Sequence, residues 1–178
     1  MIKLETRNLS YSYHAGQAVL NDISLKIYDG SVTVLLGLNG SGKTTLIKVL
    51  TGLLKPLKGT TFIEAKDITQ ISSTELSKLI SYVPQNISDD TDFAVLDYLT
   101  FGRMNTIKFY SSPKSEDYEK AKAVANDLGI TDLLAEKMNE LSGGQRQLVT
   151  IARAVVQDSG IIIMDEPTSF TVYKFLNT

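Results

Sequence analysis

The sequence predicts an α/β fold with a largely parallel sheet, and three observations carry that reading. Short apolar, β-branched runs at Val32–Leu36, Ile80–Val83 and Ile161–Met164 read as strands. Stretches with helical spacing of apolar residues separate them. A glycine-rich loop, Gly37 to Gly42, joins the first run to the helix that follows.

Val32-Thr-Val-Leu-Leu36 stops at Gly37 and has the composition of a buried strand. Thr44 to Leu53 is helical in character, closed near Gly52 and before Pro56. Ser72-Ser-Thr-Glu75 matches a capping box, so a helix is expected through Leu76 and Leu79. Ile80–Val83 is a second strand, stopped by Pro84. From Asn86 to Glu140 the texture is helical. Ser115 is the expected N-cap of one helix there, with Glu116 and Asp117 in its positive first turn. Tyr118, Ala121, Ala125 and Leu128 share a face of it, and Gly129 supplies the stop. Another helix opens near Gly144, with Leu148, Ile151, Ala152 and Val155 at i, i+3, i+4 and i+7. Ile161–Met164 then ends in Asp165-Glu166. No internal repeat, low-complexity tract or flexible linker interrupts this order.

At 178 residues the chain has the length of one domain with a sizeable core. With 43% hydrophobic and 21% charged residues, global disorder is excluded. A formal charge of −2 gives no general pull toward a nucleic-acid backbone. Without cysteine there is no disulfide framework, thiolate nucleophile or Cys-ligated metal. Met1 to Tyr13 has no apolar core of a signal peptide, so the Asn-x-Ser/Thr matches at Asn8, Asn39 and Asn86 carry little meaning. The longest apolar stretch, near Val32–Leu38, falls far short of the roughly 18 residues of a membrane span, so the chain is not expected to cross a membrane by itself.

Gly37-Leu38-Asn39-Gly40-Ser41-Gly42-Lys43-Thr44 fits G-x-x-x-x-G-K-[ST] between an expected strand and an expected helix. Glycines let successive backbone N–H groups converge on phosphate oxygens, and the helix N-terminus adds its positive dipole end. Lys43 supplies a point charge toward the β- and γ-phosphates, and Thr44 a hydroxyl for Mg²⁺; Thr45 follows in the first turn. Asp165, at a strand's C-terminal end, is the candidate carboxylate for Mg²⁺. Glu166 beside it is the candidate acceptor for a proton from an attacking water. Ser142, Gly143 and Gly144 in Leu141-Ser-Gly-Gly-Gln145 open a helix and form a second candidate anion-binding surface.

Phosphate loop, Leu-Ser-Gly-Gly-Gln and Asp-Glu, in this order, resemble the ATP-binding cassette (ABC) ATPases, and the resemblance runs from Met1 to about Ser169. It implies a P-loop NTPase core with a mainly parallel sheet, an N-terminal antiparallel β part and a helical subdomain at about 86–145 within a domain spanning 1–169. It also implies ATP and Mg²⁺ as ligands, hydrolysis, and a head-to-tail pair of ATPase subunits bound to permease transmembrane subunits on the cytoplasmic face of the membrane. In such a pair, Ser142, Gly143, Gly144 and Gln145 face the nucleotide of the other subunit. Gln85 resembles the glutamine that touches Mg²⁺ and water and relays to the transporter. Tyr13 resembles the aromatic that stacks on adenine; alternatively Leu9, Tyr11 and Tyr13 alternate along one strand face as core. Leu38 departs from the proline often seen there, where phosphate binding needs no side chain. Asp92 to Arg103 followed by Ser111 to Tyr118 is similar to importers of iron–siderophore, haem and cobalamin complexes.

After Ser169 the family pattern stops. Residues 170–178 form an off-pattern tail, no Asp occurs beyond Asp165, and the only histidine, His14, lies upstream of the phosphate loop. In the family's sheet the next strand lies between the Asp-Glu strand and the phosphate-loop strand. Its absence leaves a gap of about 10 Å unless Val172–Leu176 fills it. The expectation is therefore a cassette whose C-terminal strands are missing, with little or no turnover. The alternatives are a non-catalytic nucleotide-binding fragment and an ABC ATPase outside transport.

Overall fold

The computed structural model describes residues 1–14, 16–85, 92–107 and 111–166; Asn86, Ser169 and the 170–178 tail, with Val172–Leu176, lie outside the described residues. Two compact units divide the chain, Met1–Leu79 and Ile80–Thr178.

The first unit is built on β1 (Ile2–Ser12) and β2 (Ala18–Tyr28), an antiparallel pair. Helix α1 (Lys43–Leu50) follows, then β3 (Lys58–Ile63), β4 (Lys66–Asp67) and α2 (Ser73–Leu79). The antiparallel sheet has the order β2-β1-β3-β4. Along β1, Leu4 and Thr6 are buried and so is Leu9, a change of parity that strict alternation forbids. The register shifts between Thr6 and Leu9, where Asn8 takes φ 48°. The bulge turns Asn8 outward, its amide donating to the Asp22 carboxylate at 2.8 Å, and delivers Leu9 to the core. Gly59 at φ 71° packs so close to β1 that a Cβ would lie 2.2 Å from the Arg7 carbonyl.

Both helices of this unit end and begin as local chemistry dictates. Gly52, at φ 74°, closes α1. The Ser72 hydroxyl accepts from the Glu75 N–H at 3.2 Å at the start of α2. Buried Leu46, Ile47, Val49 and Leu50 make α1 a core helix.

The expected strand at Val32–Leu36 does not form. Residues 31–38 carry no ladder, and Val32, Val34 and Leu36 are 69%, 71% and 86% exposed. A strand exists only where a neighbour takes its N–H and C=O groups, and no described strand pairs with this run. Its composition suits burial on both faces; its surroundings among the described residues do not provide it.

In the second unit β5 (Ile80–Val83) and β6 (Ile161–Met164) form a parallel ladder from Ile80↔Ile161 to Val83↔Met164. Parallel pairing is thus present, and among the described residues it is confined to this pair. Between the two strands lie α3 (Val95–Thr100), α4 (Ser115–Asp127) and α5 (Gly143–Val156). Their core holds Val95, Leu99, Ala121, Val124, Ala125, Val149 and Ala152, with Met138 and Leu141 from the segment before α5. A different side of α5, Ile151 and Ala154, packs on Val83 of β5. The N-cap of α4 is Lys114, one residue before the expected Ser115, because the Asp117 carboxylate accepts the Lys114 N–H at 2.9 Å. The same carboxylate takes Arg103 Nε at 3.3 Å. No helix among the described residues is long and apolar enough to cross a membrane.

Candidate functional site

The phosphate loop lies wholly in the first unit. Gly40 and Gly42 stand at φ 78° and 91°, conformations that side chains rarely adopt, and a Cβ on Gly42 would come 3.1 Å from the Val19 carbonyl. Gly42 is the N-cap of α1 and has no side chain to cap it, so the first turn is left to backbone groups and dipole. Ser41 N–H donates to the Leu38 carbonyl at 3.1 Å, closing the turn over Asn39 and Gly40. Lys43 curls back, its Nζ 3.0 Å from the carbonyls of both Gly37 and Leu38. An ammonium held by loop carbonyls sits where an incoming anion would compete for it. Thr44 is half-buried and Thr45 buried.

Tyr13 joins this loop. The residue is 52% exposed, its ring edge-on to Tyr11 at 5.0 Å, and its hydroxyl lies 3.2 Å from Thr45 Oγ1. Of the alternating trio, Leu9 is core, Tyr11 is half-buried and Tyr13 is surface. An exposed ring tethered at the start of α1 is compatible with a stacking partner.

The second unit holds the Asp-Glu pair. Asp165 is 2% exposed, and its N–H donates to the Val83 carbonyl at 2.9 Å, which extends the β5–β6 ladder by one bond. Burial, and next the Asp165 charge, push the Tyr82 phenol up from its usual 10.0. Glu166 turns to φ 46°, the left-handed region costly for a non-glycine residue. Its carboxylate there accepts from Gln85 Nε2 at 2.5 Å. A carboxylate cannot donate, so this contact fixes the orientation of the Gln85 amide, with the oxygen as its other end. The structure thereby brings together two residues singled out from separate motifs.

The Leu-Ser-Gly-Gly-Gln segment is a capping box. The Ser142 hydroxyl accepts the Gln145 N–H at 3.3 Å, and Gln145 Oε1 accepts the Ser142 N–H at 2.9 Å. Leu141 is anchored in the core at 6% exposure. Gly143 and Gly144 are exposed, with nothing within 4 Å of where a Cβ would be. A backbone surface at a 14-residue helix's N-terminus is left for an approaching group.

Thr44, Gln85 and Asp165, the expected metal donors, offer a hydroxyl, an amide oxygen and a carboxylate, the hard oxygen set that magnesium prefers. Thr44 belongs to the first unit, Gln85 and Asp165 to the second. No cluster of three or more His, Cys, Asp or Glu able to hold a metal occurs among the described residues.

Comparison with known proteins settles the family, since the profile of the ABC transporter family matches residues 20–169. The chain belongs to the ABC transporter family. A protein of Helicobacter pylori named "Probable iron chelatin transport ATP-binding protein" is 40% identical to this cassette over 167 residues, 93% of the chain and 65% of that relative. A solved structure described as "An inward-facing conformation of a putative metal-chelate type ABC transporter" superposes with a TM-score of 0.83 at 32% identity, over 99% of this chain and 66% of that one. The ADP conformation of an ATP-binding cassette of an ABC transporter gives 0.84 at 33% identity, over 99% and 75%. The chain thus spans 65% of the length of the Helicobacter relative.

Sequence reasoning missed three residues around the cassette motifs. Arg146 folds back onto the Leu141 carbonyl, Arg103 pairs with Asp117, and the Tyr82 phenol feels the Asp165 charge. Arg146 is adjacent to a motif, but its partners are carbonyls, which leave no trace in a sequence.

Proposed function

We propose that this chain is the ATP-binding and ATP-hydrolysing subunit of an ABC importer for an iron–siderophore or related metal chelate. One observation carries the nucleotide part: Gly40 and Gly42 at positive φ lead into a helix start with no side-chain cap, with Lys43 folded over the loop. That arrangement is suited to a polyphosphate and to little else. The chelate part rests on the names of the Helicobacter relative and the metal-chelate transporter.

In this reading the loop N–H groups of Gly40 to Thr44 and the Lys43 ammonium bind the β- and γ-phosphates, and Tyr13 stacks on the base. Glu166 takes a proton from the water that attacks the γ-phosphate. Gln85, already hydrogen-bonded to Glu166, orients that carboxylate. Thr44, Gln85 and Asp165 would supply the oxygen donors for magnesium, which would neutralise charge on the phosphates. Ser142, Gly143, Gly144 and Gln145 serve the nucleotide of a second cassette in a head-to-tail pair, and permease subunits hold both at the cytoplasmic face of the membrane. No nucleic-acid partner is expected.

A second reading, nucleotide binding without turnover, is favoured by the exposed Val32–Leu36 run leading into the phosphate loop, with which no described strand pairs. Steady-state phosphate release from the purified chain separates the two. Hydrolysis that falls by about a hundredfold or more in Glu166→Gln supports the first, given the usual worth of a positioned base. Binding with no release, or release indifferent to Glu166→Gln, supports the second.

A further inference from the structure

Gly143 and Gly144 present their backbone to open space, so their placement comes from the residues on either side. Downstream, the Arg146 N–H donates to the Ser142 carbonyl at 2.9 Å as part of the first turn of α5. The Arg146 side chain then turns back. Its Nη2 donates to the Leu141 carbonyl at 2.9 Å and its Nε to the Met138 carbonyl at 3.2 Å. Met138 is itself fixed: it is 1% exposed, and its N–H donates to the Phe93 carbonyl at 3.0 Å. Around that bond the backbone pairs Ala94 with Lys137, the Val95 N–H donates to the Glu136 carbonyl at 2.9 Å, and Lys137 Nζ reaches Asp92 at 2.8 Å. One planar fork therefore spans two carbonyls three residues apart, a geometry a single ammonium cannot reproduce.

We propose that Arg146 is a positioning residue that ties the Ser142–Gly144 backbone to the 92–96 segment through the carbonyls of Leu141 and Met138. The assignment of a catalytic use to that backbone rests on the function proposed above; the tie itself does not. A displacement of the 92–96 backbone is then felt at the Ser142 cap through one side chain.

The test is amide-resolved hydrogen exchange on the full chain, comparing wild type with Arg146→Met and Arg146→Lys. In Arg146→Met the amides of Ser142, Gln145 and Met138 exchange about tenfold faster, while those of Val149 to Ala152 and the unfolding midpoint stay near wild type. Arg146→Lys, which keeps one bond of the two, falls between. Acceleration spread evenly along α5, or no change at the three amides, overturns the proposal. Where wild type hydrolyses ATP, Arg146→Met lowers kcat by about tenfold with Mg·ATP affinity within about twofold, because the phosphate loop is untouched. Equal losses in kcat and affinity count against it. A wild type that fails to hydrolyse ATP overturns the functional reading alone, and the exchange result still decides on Arg146.

Discussion

Asp67 shows how a single side chain organises a turn. Its carboxylate accepts the Thr69 hydroxyl at 2.7 Å, the Thr69 N–H at 2.8 Å and the Thr60 hydroxyl at 2.9 Å, so it both caps the 3₁₀ turn at Ile68–Gln70 and pins β3. These bonds, the Thr69 hydroxyl first, favour the ionised form and hold the carboxyl below its usual 3.8. A depressed folded-state value means stability that is present above the unfolded value and lost as pH falls through the folded one. Asp67→Asn is expected to lower stability by about 1 kcal/mol above roughly pH 5. The difference in melting temperature between wild type and variant should shrink steadily as pH drops below about 4, and a pH-independent difference would count against the ionic account.

At the scale of elements, the second unit is held by packing around α5 and by one partly buried ion pair. Asp117 is 6% exposed and serves two masters, the Arg103 guanidinium and the Lys114 N–H. Asp117→Ala is expected to cost about 2–4 kcal/mol, since it takes the carboxylate from a partly buried guanidinium and uncaps α4 together. Asp117→Asn keeps an acceptor for the cap and should cost visibly less; urea midpoints of the two variants check the order. Helices α1, α2 and α5 were legible in the sequence because their signals are local. Gly42 and Gly52 bracket α1, Ser72 with Glu75 starts α2, and Ser142 with Gln145 starts α5. Strands were legible only where a partner exists. Ile80–Val83 and Ile161–Met164 find each other, whereas the equally apolar Val32–Leu36 finds no described partner and stands exposed. The bulge at Asn8 was illegible for the same reason, since it is a property of the β1–β2 register rather than of the residue.

For the whole molecule, the candidate site was legible where chemistry is written in consecutive residues. Gly37 to Thr44, Ser142 to Gln145 and Asp165-Glu166 each keep their expected local form. The hydrogen bond between Gln85 and Glu166 spans residues far apart in sequence, and only the fold reveals it. The central claim is that the loop from Gly37 to Thr44 is a working polyphosphate site. Thermal unfolding with and without Mg·ATP, in wild type and in Lys43→Ala, tests it most directly. At about 100 times Kd the ligand adds about 2.7 kcal/mol, a rise of roughly 5–10 °C for a chain of this size. The account predicts that rise in wild type and its loss in Lys43→Ala. No rise in wild type, or an equal rise in both proteins, would contradict it.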